Sequence, residues 1–151
     1  MKNYIFVYAL AVAVAAAGCA GFERTSTTTG PSAAGVGALA GTWASAASLI
    51  PSASTCSDFQ WNASELTATS AKGSFSATCA GVLKASGTAQ GTLNGSVISW
   101  TANGTAQAPL LPACAITLSG TAELGANSIR VPYSGDTCLG KVSGVEILDK
   151  K

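Results

Sequence analysis

The residues of this chain with most chemistry to offer are five cysteines: Cys19, Cys56, Cys79, Cys114 and Cys138. A cysteine can pair with another, hold a metal as a thiolate, or attack as a nucleophile. The last two uses commonly draw on histidine, as co-ligand or general base, and the chain contains none. No two of the cysteines have the close spacing of a metal site. The carboxylates Asp58, Glu65, Glu123, Asp136, Glu146 and Asp149 are scattered over positions that read as polar faces or turns. Acid–base work needs two of them to converge with shifted pKa values, and nothing in their spacing brings that about. Asp136, within Ser134-Gly135-Asp136-Thr137, suits a turn. No Gly-rich loop opens a helix, no nucleophile elbow occurs, and no cofactor is expected. Lys and Arg number 8 against 7 Asp and Glu, charged residues are only 10% of the chain, and no basic run exists. Nucleic-acid binding is therefore not expected. The chemistry that remains is disulfide bonding, and the domain reads as non-enzymatic.

An odd cysteine count asks which one stays unpaired. Met1-Lys2-Asn3 is a short positive start, and Tyr4 to Ala17 is an uncharged apolar run ending in Ala15-Ala16-Ala17-Gly18. Its charge, length and small-residue exit are those of an export signal, and it is shorter than the ~20 apolar residues of a bilayer span. Cys19 follows at once. The Ala16-Ala17-Gly18-Cys19 stretch resembles a bacterial lipobox, with Ala16 where the family most often has Leu. The resemblance implies that Cys19 is acylated on sulfur and becomes the first residue of a membrane-anchored lipoprotein. Ala20, rather than Asp, resembles lipoproteins sent on to the outer membrane in a Gram-negative host. The alternative is an ordinary signal cleaved after Ala17 or Ala20. Residues 1–18 are thus expected to be removed. Residues 19–38, rich in Thr, Ser, Gly and Ala, read as the lipidated cysteine and a flexible tether. Residues 39–151 form one domain, in an oxidising compartment where four cysteines make two disulfides.

That domain has strand chemistry throughout. Leu83, Ala85, Ala89 and Leu93 oppose Lys84, Ser86, Thr88, Gln90 and Thr92; Ile116, Leu118, Ala122 and Leu124 oppose Thr117, Ser119, Thr121 and Glu123. Ile98, Trp100 and Ala102 alternate with Ser99 and Thr101, and Ile129, Val131 and Tyr133 share a side opposite Arg130. Such period-two alternation marks half-buried antiparallel strands with one wet face. Segments fall at 41–47, 57–63, 65–70, 73–80, 82–92, 96–103, 114–124 and 128–134, with a further one at 141–148. The second and third could be one bent strand. Asn94-Gly95 is the strongest hairpin signal, and Gly125-Ala126-Asn127 and Ala71-Lys72-Gly73 serve as further turns, while Asn103-Gly104 ends a strand. The stretch Ser86–Thr105 parallels Ser119–Thr137, two strand–turn–strand units that fit duplicated hairpins in one sheet. The expectation is all-β: an antiparallel up-and-down meander of about eight strands, closed as a small barrel or stacked as a two-sheet sandwich.

Register assigns the cysteines. Cys114 and Cys138 each lie twelve residues from the hairpin centre at residue 126, which sets them opposite one another at its open end. Cys56 and Cys79 then pair by elimination, though four cysteines allow three connectivities.

At the entrance to the meander, Gly41-Thr42-Trp43 resembles the Gly-X-Trp that opens the first strand of calycins, the lipocalin and avidin group. The resemblance implies an up-and-down barrel with Trp43 plugging one end and an interior that takes a small ligand. In calycins an Arg near the last strand commonly packs on that Trp; here Arg130 falls on the outer face by alternation. Inward positions mix large residues, among them Trp43, Trp61, Trp100 and Tyr133, with small ones such as Ala77, Ala85, Ala89 and Gly91. Either these four aromatics line a site for a small apolar ligand, or the small residues let the walls pack closely around a filled core. In the second case the domain is a structural or protein-interaction module of the envelope, a reading that an exposed aromatic or apolar patch would favour.

Overall fold

The computed structural model describes residues 35–151, in which eight antiparallel strands close into one barrel in simple sequence order. They are β1 Gly41–Ser45, β2 Cys56–Leu66, β3 Ser70–Cys79, β4 Leu83–Asn94, β5 Val97–Gln107, β6 Cys114–Leu124, β7 Ser128–Thr137 and β8 Gly140–Lys150. Closure comes from β1, which pairs with β2 on one side and with β8 on the other, Trp43 standing beside Trp61 and Lys150. A sandwich would leave edges that this pairing removes. The expected alternation is met in β4, β5, β6 and β7. In β6, for example, Ile116, Leu118, Ala122 and Leu124 are buried while their neighbours Thr117, Ser119, Thr121 and Glu123 are exposed. The outer wall carries rows of short polar side chains, such as Ser70, Thr92, Ser99 and Thr121 in successive strands, which keeps it wet with few charges.

Several boundaries differ from the sequence reading, each for a physical reason. Segments 57–63 and 65–70 do not end where expected. β2 continues to Leu66 through a register shift between Ala63 and Glu65, and the turn lies at residues 67–69. Ala71-Lys72-Gly73 is therefore strand, not turn. Gly73 is small because a Cβ there would collide with the backbone of Asn62 and Ala63 across the ladder. Asn103-Gly104 likewise continues β5 to Gln107, and Gly104 faces Gly87 at a point where either Cβ would strike the opposite main chain. Both glycines mark close strand approach rather than punctuation. The folded part also begins before residue 39. Val36–Leu39 forms a 3-10 turn whose Val36 and Leu39 are buried in the core, so residues 36–38 belong to the domain.

β1 is the shortest strand, five residues against ten to twelve in the others. Beyond Ser45 the chain leaves the wall as a long connection, residues 46–55, before β2 begins. That leaves a seam between β8 and the start of β2, and the polar residues described below occupy it.

Candidate functional site

The interior holds a cavity of about 70 Å³ bordered by Phe59, Trp61, Phe75, Ile98, Trp100 and Val131, among others. Its geometry follows from size alternation across the ladder. Trp100 of β5 stands between Gly91 of β4 and Gly120 of β6, and Phe75 of β3 faces Gly87 of β4. The Trp100 indole leans over Gly120: a Cβ there would lie 3.2 Å from its Nε1. The indole N–H groups of Trp61 and Trp100 are both buried without a hydrogen-bond partner. Leaving such a donor unpaired costs about 1–3 kcal/mol each. Drug-sized ligands need pockets of roughly 300–1,000 Å³. A space of about 70 Å³ admits only a molecule of a few heavy atoms, or water held by the two indoles.

Of the four aromatics expected at a ligand site, Trp61 and Trp100 meet at this cavity and Trp43 and Tyr133 do not. Trp43 is buried at the end where the chain enters the barrel, and its Nε1 donates to the Leu39 carbonyl at 3.0 Å. The Lys150 ammonium lies 5.5 Å from the Trp43 ring centre and donates to the Ala38 carbonyl at 3.1 Å. Arg130 is exposed, as alternation requires, so the cation over the tryptophan comes from the end of β8 instead. Register with Trp43 was the signal for Lys150, a residue the sequence reading passed over.

Tyr133 serves the seam. Its ring crosses β8 at Gly144, where a Cβ would come within 2.6 Å of the phenol oxygen, and packs against Phe59 at 5.1 Å. The hydroxyl accepts from the Cys56 N–H at 2.7 Å and donates to the Cys56 carbonyl at 2.9 Å. A tyrosine thus supplies β2 with the hydrogen bonds that a longer β1 would have made. Burial pushes the phenol pKa up, with the Cys56 backbone bond opposing and the Glu146 charge adding.

Glu146 corrects the reading of the carboxylates as residues of polar faces. In β8 it shares the inward side with Val142 and Leu148 and is only 8% exposed. Burial raises its pKa above the usual carboxylate range, a Ser45 hydrogen bond partly offsets this, and the nearby Asp58 charge raises it further. Ser45 also accepts from the Phe59 N–H at 2.8 Å. Asp58 sits at a register shift in β2 with a φ of 52°, in the left-handed region that Asp tolerates, and accepts from the Ser48 hydroxyl at 2.7 Å. Strand parity in 141–148 is ambiguous, because the aliphatic Val145 and Ile147 fall on the side opposite Glu146 and are exposed. Among the described residues no three His, Cys, Asp or Glu side chains converge as a metal site.

Both disulfides close the seam end. Cys56 and Cys79 are ladder partners of β2 and β3 with Cα atoms 3.9 Å apart. Cys114 and Cys138 bond across the open end of the β6–β7 hairpin with Cα atoms 5.9 Å apart. The ladder pairs Thr117 with Asp136, which carried outward sets Cys114 against Leu139, one residue beyond its bonded partner. Cys19, with the export signal and tether expected before Gly35, lies outside the described residues. No protein-family model, no curated protein and no solved structure matches the chain.

Proposed function

We propose that this is an exported lipoprotein, held in the cell envelope by a lipid on Cys19 and, in a Gram-negative host, in the outer membrane. Its barrel is a non-enzymatic interaction module, related in plan to calycins through Trp43 but not a carrier of a drug-sized ligand. One observation carries this reading. The interior is filled down to about 70 Å³, while six exposed aliphatic side chains crowd the connections at one end. A filled core moves the work to the surface, and a clustered apolar display on a small domain marks a contact site. The two disulfides suit an exported protein. Against catalysis, the Tyr133 hydroxyl is committed to the Cys56 backbone and Glu146 faces inward behind Ser45, leaving no free nucleophile beside it. The anchor is tested by mass spectrometry of the mature chain: a triacylated Cys19 as first residue supports it, and an unmodified thiol there ends it.

The two unpaired indole N–H groups favour a second reading. A compact apolar molecule with a hydrogen-bond acceptor would satisfy the indole N–H of Trp61 or of Trp100. Short-chain ketones and alcohols titrated while the indole N–H signals are followed by NMR test it. Shifts confined to either or both of those signals support occupancy, and unchanged signals at millimolar ligand exclude it.

A further inference from the structure

Of the ten large aliphatic residues exposed among the described residues, six gather at one end of the barrel, two lie at the other, and two, Val145 and Ile147, lie on the outer wall of β8. At the end stapled by the disulfides, Leu49, Ile50, Val82, Leu110, Leu111 and Leu139 are exposed, Ile50 at 95%. They come from four separate connections: residues 46–55, 80–82, 108–113 and 138–139. None of these segments contains a charged residue. At the opposite end only Leu66 and Val97, both at strand termini, are large, apolar and exposed, at 43% and 41%. The connections there, residues 67–69, 95–96 and 125–127, hold only Thr, Ala, Gly, Ser and Asn.

The apolar tips are held in place. In the 46–55 segment, Ser57 Oγ donates to the Leu49 carbonyl, Ser48 binds Asp58, and the Ser54 carbonyl accepts from Ser143 N at 2.9 Å. Pro109 and Pro112 bracket Leu110-Leu111 and restrict that loop. Tips fixed in this way have little entropy left to lose on contact.

We infer that this end seats in the headgroup–acyl boundary of a lipid bilayer, the bilayer that the Cys19 lipid enters. The inference rests on the anchored reading above. The tips are all Leu, Ile and Val, with no Trp, Tyr or Arg among them, whereas protein hot spots are built on those three. The chain from Cys19 to Gly35 reaches about 55 Å when extended, at about 3.4 Å per residue. An eleven-residue strand such as β6 is about 36 Å long. The tether therefore reaches past the barrel, and the lipid and the far end can share one membrane. Behind the tips stand Asp58, Lys84, Asp136 and Lys141, with Lys141 bonded to Asp136 at 2.8 Å. With that mixed charge, the contact is driven by apolar burial and does not depend on anionic lipid.

The test uses the full-length lipoprotein in phosphatidylcholine nanodiscs with a spin-labelled lipid whose label sits just below the headgroup. Methyl signals of Leu49, Ile50, Val82, Leu110 and Leu139 are expected to broaden at least threefold more than those of Leu66 and Val97. The double variant Leu110→Ser/Leu111→Ser, at exposed positions, is expected to lose most of the broadening at Leu49, Ile50 and Leu139 with its fold signals unchanged. Equal broadening at both ends, or stronger broadening at Leu66 and Val97, overturns the inference. The mass of the mature chain reports on the anchor separately. If Cys19 proves unmodified, the same spectra are taken on the chain added to the nanodiscs. Broadening at the disulfide end then still supports the inference, and its absence overturns it.

Discussion

The two ends of the barrel solve the same problem, closing an open tube, by opposite means. The end where the chain enters is closed from within. The Val36–Leu39 turn, the buried Trp43 and the Lys150 ammonium stack across it, and its other connections are short and polar. The far end is closed from outside. β1 stops early, a long connection crosses the gap, two disulfides clamp the wall, and Tyr133 bridges the seam to Cys56. The first solution buries its apolar groups and the second leaves six of them on display. Covalent staples let that end carry apolar loops that contribute little to a core. The comparison teaches that stability and contact surface have been separated onto different ends of one small domain.

The largest expected effect comes from the inner plug. Trp43→Ala removes a fully buried ring and the hydrogen bond to Leu39, and should cost about 3–5 kcal/mol in denaturant unfolding. A loss below 1 kcal/mol would mean that the Trp43 end does not hold the barrel. Next come the staples. Cys56→Ala with Cys79→Ala, or Cys114→Ala with Cys138→Ala, each opens a loop of 23 or 24 residues, worth about 3 kcal/mol on the chain-entropy model. Hydrogen exchange should then rise at residues 46–55 and 108–113 before it rises around Trp43. The reverse order would break the contrast between the ends.

A smaller loss, about 1–3 kcal/mol, is expected for Tyr133→Phe, which strands the buried N–H and carbonyl of Cys56 while keeping the ring against Phe59. Glu146 should act through pH. Its folded pKa is raised, so the folded state holds the proton more tightly than the unfolded chain. Its contribution is therefore most favourable below the unfolded value of about 4.3 and is lost as pH rises through the folded value. Glu146→Gln should flatten stability against pH across that window and leave the variant more stable than the parent at neutral pH. A parent that gains stability over the window, relative to the variant, would contradict the assignment. The smallest change, about 0.5–1 kcal/mol, is expected for Lys150→Met, which removes an exposed cation from the Trp43 ring.

Much of the architecture was legible in the residues because period-two alternation runs from β4 through β7 and breaks only in β8, where Glu146 is buried and Val145 and Ile147 are exposed. Ile116, Leu118, Ala122 and Leu124, or Ile129, Val131 and Tyr133, name their own face. The disulfide pairs followed from strand order, within one residue of register. Glycine misled twice. Gly73 and Gly104 look like turns, yet each is small because two strands pass too closely for a Cβ, a long-range fact with no local mark. The candidate site was harder. Trp61 and Trp100 border the cavity, whereas Trp43 and Tyr133 spend their polar atoms on the carbonyls of Leu39, four residues away in sequence, and Cys56, 77 residues away, neither of which alternation can reveal. The seam arises because β1 stops at Ser45, and nothing in Ala46-Ala47-Ser48 announces that stop.

The division between the ends is tested most directly by placing a photo-crosslinking residue singly at Leu110 and at Ala126 in the full-length protein in its native envelope. Both sites are exposed and they lie at opposite ends. Adducts from position 110, to lipid or to protein, with none from position 126 are the predicted result. Adducts from 126 alone, equal yields from both, or none from 110 would contradict it.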